Sequence, residues 1–183
     1  MNETITSILG RRSIRKYKDR AVRMEDLELI VKCGQYAATG MGRQPWHFTI
    51  VTNRQYMDAV TAANREIMLA SPVDRLREAA SAPDFDGWRG APCAIVVSSD
   101  SDGINDCAIA VENMAVAAYS LGLGSCILGS FKICMENGGR PDLVAQLGAP
   151  EGCQPHFALA VGYADESPRS RPEKRGRREL PVS

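Results

Sequence analysis

Five cations crowd one hydroxyl in the stretch "LGRRSIRKYKD": Arg11, Arg12, Arg15, Lys16 and Lys18 surround Ser13. Guanidinium groups present planar forks of N–H donors that match phosphate and carboxylate oxygens. The residue types therefore point to an anionic ligand rather than to proton transfer. In an extended backbone, Arg11, Ser13, Arg15 and Tyr17 line one side, and Arg12, Ile14 and Lys16 line the other. Arg11 and Arg15 then stand about 13 Å apart. That reach suits a long ligand with a phosphate at one end and a polar ring at the other. A solvated charged turn is the competing reading of the same run.

Other chemistry-bearing patterns are sparse. Six cysteines (Cys33, Cys93, Cys107, Cys126, Cys134 and Cys153) include no C-x-x-C pair, and the two histidines, His47 and His156, lie in separate segments. Neither a thiolate metal site nor an iron–sulfur cluster is expected from such spacing. The cysteines read as reduced, buried thiols. "GLGSCI", from Gly122 to Ile127, fails as a dinucleotide-binding fingerprint: its third glycine position is Ile127, and it follows a helix rather than a strand. A glycine-bearing bend still lets backbone N–H groups approach a flat ligand. There is no Walker loop, no H-E-x-x-H and no nucleophile elbow.

The elements that must position these residues follow from periodicity. Helices are predicted over 24–38, 54–70, 104–121 and near 141–147. The helix at 104–121 is apolar on nearly all faces and is expected to be buried in the core. Strands are predicted for "WHFTIVT", "APCAIVVSS" and "HFALAVGY". Asn53 reads as a helix cap and Gly122 as a helix stop. Residues 71–91, rich in proline and glycine and carrying "DFDGW", read as a mobile segment over something. The tail from Ala164 to Ser183 is polar and holds Arg169, Arg171, Lys174, Arg175, Arg177 and Arg178. It cannot bury an apolar face by itself, so it is either disordered or laid along another surface such as a partner subunit.

At 183 residues the chain is most simply one α+β domain, 1–183, with 164–183 as a C-terminal arm. Its 22 basic residues balance 22 acidic ones, which argues against bulk nucleic acid or an anionic membrane as the main partner. "MNETITSILG" lacks the charged and apolar regions of a secretory signal. Glu112, Asn113 and Ser120 interrupt the longest apolar stretch, so no membrane span is expected. A cytoplasmic protein follows.

Four segments in order resemble the nitroreductase family of FMN-dependent oxidoreductases: "RRSIRKY", "AATGMGRQPWHF", "LGLGSCILG" after an apolar helix, and "VGYADESPRSRP". The likeness covers essentially the whole chain. It implies a mixed, mainly antiparallel sheet flanked by helices, in an intertwined homodimer with FMN at the interface. Arg11, Ser13 and Arg15 would bind FMN from its phosphate toward the pyrimidine edge, with Arg12 beside the phosphate and Arg169 and Arg171 also on it. Ala38, Thr39, Gly40, Met41 and Gly42 would reach the flavin of the other subunit. Family members often carry a proline–serine pair at the start of that loop and an asparagine where Gly42 stands. Backbone at Leu128 and Gly129 would face flavin N5 and O4, with Cys126 and Ile127 along the ring. Asn64 is a candidate for the pyrimidine edge, against a helix-surface reading.

The activity implied is reduction of nitroaromatics, quinones or similar small electron-poor acceptors. NADH or NADPH would be the reductant, in a ping-pong hydride transfer through FMN, with no catalytic side chain. Met41, Phe85 and Trp88 are candidates for the acceptor pocket, although the same aromatics could simply pin a loop. Three alternatives stand beside this reading: a flavoenzyme of the same fold acting on enones or in dehalogenation, a flavin-binding protein without turnover, and a nucleic-acid-binding protein.

Overall fold

The computed structural model describes residues 2–168 together with Ser170 and Gly176. Four strands, β1 (His47–Val51), β2 (Cys93–Ser99), β3 (Gly124–Leu128) and β4 (Gln154–Gly162), form one sheet in the order β1-β2-β4-β3. Every pair is antiparallel. A parallel bridge from Ser13 to Ser125 makes the sheet mixed at its β3 edge. The α+β class and the mainly antiparallel sheet are as expected. The bend predicted around Gly124 is instead strand β3, because Cys126, Ile127 and Leu128 pair with β4.

Side-chain alternation divides the core into two layers. On β2, Ala94 and Val96 face one side, packing with Val60 of α3 (Arg54–Leu69), Trp88, Phe131 and Leu143. Cys93, Ile95 and Val97 face the other. There they meet Leu27 and Ile30 of α2 (Met24–Gln35) and Val111, Met114 and Ala118 of α5 (Ile104–Ser120). Period-2 strands between period-3.6 helices require this layering. Two short helices, α4 (Asp74–Ser81) and α6 (Pro141–Ala145), sit on the first side's periphery.

Local chemistry sets the helix ends. The Asn53 carboxamide accepts the Tyr56 N–H at 3.1 Å and starts α3, as its type suggested. Gly122, at φ +75°, stops α5: its N–H donates to Tyr119 O and the Leu123 N–H donates to Ala118 O. Both bonds satisfy carbonyls that a helix end leaves unpaired. An additional helix, α1 (Glu3–Gly10), is capped by Asn2, whose side chain accepts the Ile5 N–H.

Two expectations are corrected. Helix α5 is not buried all round, since Ile104, Ile109 and Tyr119 remain 42%, 46% and 39% exposed. The sheet covers one of its faces, and α1 and α2 cover only part of the rest. Residues 71–91 are anchored rather than loosely draped, because α4 and the buried Trp88 tie them to α3. Among the described residues, no helix is long and apolar enough to cross a membrane.

Candidate active site

The basic segment is sewn to the sheet along both of its edges. The Ile14 N–H donates to Ser125 O on β3 at 2.9 Å. On the other edge, the Lys18 N–H donates to Tyr163 O at 2.8 Å and the Asp165 N–H to Lys16 O at 2.9 Å. The Glu166 carboxylate accepts the backbone N–H of Arg15. Ile14 and Tyr17 both turn into the core, and the Tyr17 hydroxyl donates to Ile14 O at 2.6 Å. Strict alternation therefore breaks between residues 14 and 17. Burial pushes the Tyr17 phenol well above its ordinary value, so it is a structural donor rather than an acid.

A cavity flanks each end of this segment. One, of about 540 Å³, is lined by Arg11, Arg12, Gly122, Gly124 and Ser125. Here Arg11 Nε lies 3.1 Å from the Glu112 carboxylate of α5, which fixes the guanidinium. Backbone approaches closely at this end: a Cβ on Gly10 would meet the Tyr119 hydroxyl at 2.3 Å, and one on Gly124 would meet Ile14 at 2.9 Å. The other cavity, of about 570 Å³, is lined by Arg15, Asn64, Phe85, Arg89 and Ser130, among others. Ser13 sits between the two cavities and against the Cys126 thiol. Burial raises that thiol's pKa, while Arg15 and Arg89 pull it down.

The candidate residues distribute unevenly over this frame. Ser13 lines neither cavity, Arg11 and Arg12 line the first, and Arg15 and Phe85 line the second. Trp88 does not, which corrects its assignment to an acceptor pocket. It is 1% exposed, its indole N–H donates to Met57 O at 2.9 Å, and its ring stacks near Phe131 with centroids 5.5 Å apart. Its apolar bulk and single donor are both satisfied beneath the loop, so it serves to pin it.

Asn64 is neither on the surface nor uncommitted. Its carboxamide donates to Phe131 O at 2.7 Å and accepts the Cys134 N–H at 2.8 Å, holding the 3-10 turns of Ser130–Gly138. Cys126 and Ile127 cannot both lie along one ring face. Consecutive strand residues point to opposite sides, and Cys126 belongs to one core layer while Ile127 packs on the other. Gly129, beyond the end of β3, has open space around its Cβ position.

Ala38, Thr39, Gly40, Met41 and Gly42 stand apart from both cavities. The Gly40 N–H donates to Asp106 at 3.2 Å, and Gly103 packs against Pro45, so this loop rides on the N-terminal end of α5. The basic segment meets α5 near Glu112 and Tyr119. From Asp106 to Tyr119 a helix rises about 20 Å. Met41 is 98% exposed. Arg169 and Arg171 lie outside the described residues.

Sequence reasoning missed Arg89. Its signal was "DGWRG", an Asp–Gly turn with a second glycine. The Asp86 carboxylate accepts the Trp88 N–H at 2.8 Å and the Gly90 N–H at 2.9 Å, and Arg89 takes φ +61°.

A sequence profile of the nitroreductase family matches residues 8–163, and the chain belongs to that family. A putative NADH dehydrogenase/NAD(P)H nitroreductase of Archaeoglobus fulgidus is 31% identical over 171 residues, covering 89% of this chain and 86% of the relative. A similarly named protein of Methanothermobacter thermautotrophicus is 29% identical, covering 92% and 81%. Among solved structures, a nitroreductase with bound FMN from Bacteroides fragilis superposes with a TM-score of 0.88 at 29% identity, covering 98% of this chain and 99% of that one. An FMN-bound nitroreductase from Desulfitobacterium hafniense gives 0.87 at 28% identity, covering 94% and 95%.

Proposed function

We propose that this member of the nitroreductase family is an FMN-dependent NAD(P)H oxidoreductase. Working as a homodimer, it reduces nitroaromatics, quinones or similar electron-poor acceptors. The observation that carries the reading is the basic segment, fixed along both edges, with arginines facing a cavity at each end. The donor set fits FMN. Arg11 and Arg12, beside backbone at Gly122–Ser125, suit a phosphate. Arg15, which has no ion-pair partner among the described residues, suits a polar ring edge that gains negative charge. Bound FMN supplies the hydride chemistry, taking electrons from NAD(P)H and passing them to the acceptor.

The chain's own part is binding, orientation and electrostatics. Arg11, held by Glu112, and Arg12 anchor the phosphate, and Ser13 adds a hydroxyl beside them. Backbone at Leu128 and at Gly129, which has open space beside it, holds the ring in register. Arg15 favours the reduced state by opposing its charge. Phe85 walls the acceptor side. No side-chain acid is required, and the two histidines are used elsewhere: His156 Nε2 lies 3.2 Å from Asp100 O, and His47 sits on β1.

Two observations support the dimer. The loop at 38–42 lines neither cavity beside its own chain's basic segment, so a flavin contact from it would come from the other protomer. Large apolar side chains are also exposed on α1 and α5, with Ile5, Ile8, Leu9, Ile104 and Ile109 all more than 40% exposed, as suits helices that meet a partner. Residues 164–166 pair with the chain's own basic segment, so it is the arm beyond them, with Arg169 and Arg171 on the phosphate, that would pack on the partner. Free cysteines and dependence on NAD(P)H suit the cytoplasm.

Purified protein should be yellow, release FMN rather than FAD on denaturation, and sediment as a dimer. Anaerobic mixing with NADH or NADPH should bleach it, and a nitroaromatic or quinone should restore the colour. Colourless protein that takes up no FMN would overturn the reading. Reoxidation by enones or halogenated acceptors alone would move it to another activity of the same fold.

A further inference from the structure

Arg89 is presented to the second cavity by a turn that fixes it closely. Asp86 accepts two backbone N–H groups, from Trp88 and Gly90, and also the Thr61 hydroxyl at 3.3 Å. Trp88, the preceding residue, is locked in the core. Arg89 itself holds a left-handed φ of +61° and is followed by Gly90 at +74°. A long side chain rarely adopts that region, and such outliers gather where a site dictates them. Arg89 is exposed, and among the described residues its guanidinium makes no hydrogen bond or ion pair, so the charge is left available at the cavity. Of the acids lining the same cavity, Asp86 is committed to the turn, and Asp84 is exposed beside it.

Resting on the function proposed above, we infer that Arg89 is a second cation on the pyrimidine edge of the flavin. With Arg15 it opposes the negative charge that collects at N1–C2=O when the ring is reduced. Both guanidinium groups line one cavity, and both act on the same point of β3, the Cys126 thiol. Two fixed positive charges at one edge of a partly enclosed site favour an electron-rich ring more than either would alone. Arg11 and Arg12 serve the phosphate, whose charge does not change with reduction. Arg89 would therefore tune the cofactor more than it retains it.

Sulfite addition tests this without turnover. The sulfite lone pair forms a bond to N5, and the displaced π pair settles on N1–C2=O, so its affinity reads the positive field at that edge. In FMN-loaded Arg89→Gln, sulfite should bind about tenfold more weakly. The two-electron potential should fall by the equivalent of about 30 mV. Arg89→Lys should recover part of both and melt like the wild type. FMN affinity should change less than in Arg11→Ala. Wild-type sulfite affinity and potential in FMN-loaded Arg89→Gln would overturn the inference. So would an altered KM confined to carboxylate-bearing acceptors at unchanged potential, which would assign Arg89 to the acceptor. If the wild type binds no FMN, the proposed function fails first, so the two failures are distinguishable.

Discussion

The two ends of the basic segment are built differently. At the Arg11–Arg12 end, side chains and backbone are crowded: Glu112 holds Arg11, Tyr119 presses on Gly10, and Gly124 lies against Ile14. At the Arg15 end, charge is left available, and the cavity wall is a separate loop that hangs on Trp88 and Asp86. A phosphate has the same charge in every redox state, so rigid pairing suits it. A ring whose charge changes during the reaction is better served by cations that no carboxylate has already neutralised. On the proposed function, one end would grip and the other would supply a field.

The sharpest way to break that contrast is Trp88→Ala. Removing a fully buried indole and its hydrogen bond to Met57 O should cost about 3–5 kcal/mol in urea unfolding, and it should loosen the wall that carries Phe85 and Arg89. If stability is kept, the loop is not hung from the core. Asn64→Ala should cost about 2 kcal/mol even without FMN, because buried backbone groups of Phe131 and Cys134 lose their partner. An unchanged apo-protein melt with weakened FMN binding would instead make Asn64 a cofactor ligand.

Arg11→Ala should weaken FMN binding by about 2 kcal/mol with little effect on the reduction rate of whatever FMN remains bound. Arg15→Ala should show the reverse emphasis. Equal effects on affinity and rate in both variants would erase the distinction between the ends. Fluorescence titration and rapid mixing measure the two quantities.

The smallest expected effect concerns pH. Burial pushes Cys93 up to about 12 and also raises Cys126, while an unfolded thiol titrates near 8.5. A raised acid of this kind contributes stability that is complete below the unfolded value and is lost as pH climbs toward the folded one. Unfolding free energy should therefore decline above about pH 8.5. Cys93→Ala should make the decline shallower by roughly 1 kcal/mol per pH unit. An unchanged slope would show that other groups control the alkaline limb.

Much of this architecture was legible in the residues themselves. Periodicity located α2, α3, α5, β1, β2 and β4, and Asn53 and Gly122 declared helix ends because each answers a local backbone need. The alternation that separates Cys126 from Ile127 was also present, hidden because the glycines suggested a bend where a strand formed. Trp88 was ambiguous by nature: an aromatic in a polar loop can face a ligand or the core, and only the position of α3 decides. Arg89 was legible only as part of a turn, not as a neighbour of Arg15. It lies 74 residues beyond Arg15 in the chain, and the sheet and α3 bring the two to one cavity through packing that no local pattern encodes.

The bridge from Ser13 to Ser125 has a consequence outside catalysis. An outermost strand with unsatisfied amides is a template for pairing with another molecule, and residues 13–14 occupy that row on β3. The segment proposed to bind FMN is thus also the seal on the sheet's border. Protein kept short of riboflavin would be expected to clump into β-rich deposits more readily on storage, and supplying the vitamin during expression should raise its soluble yield.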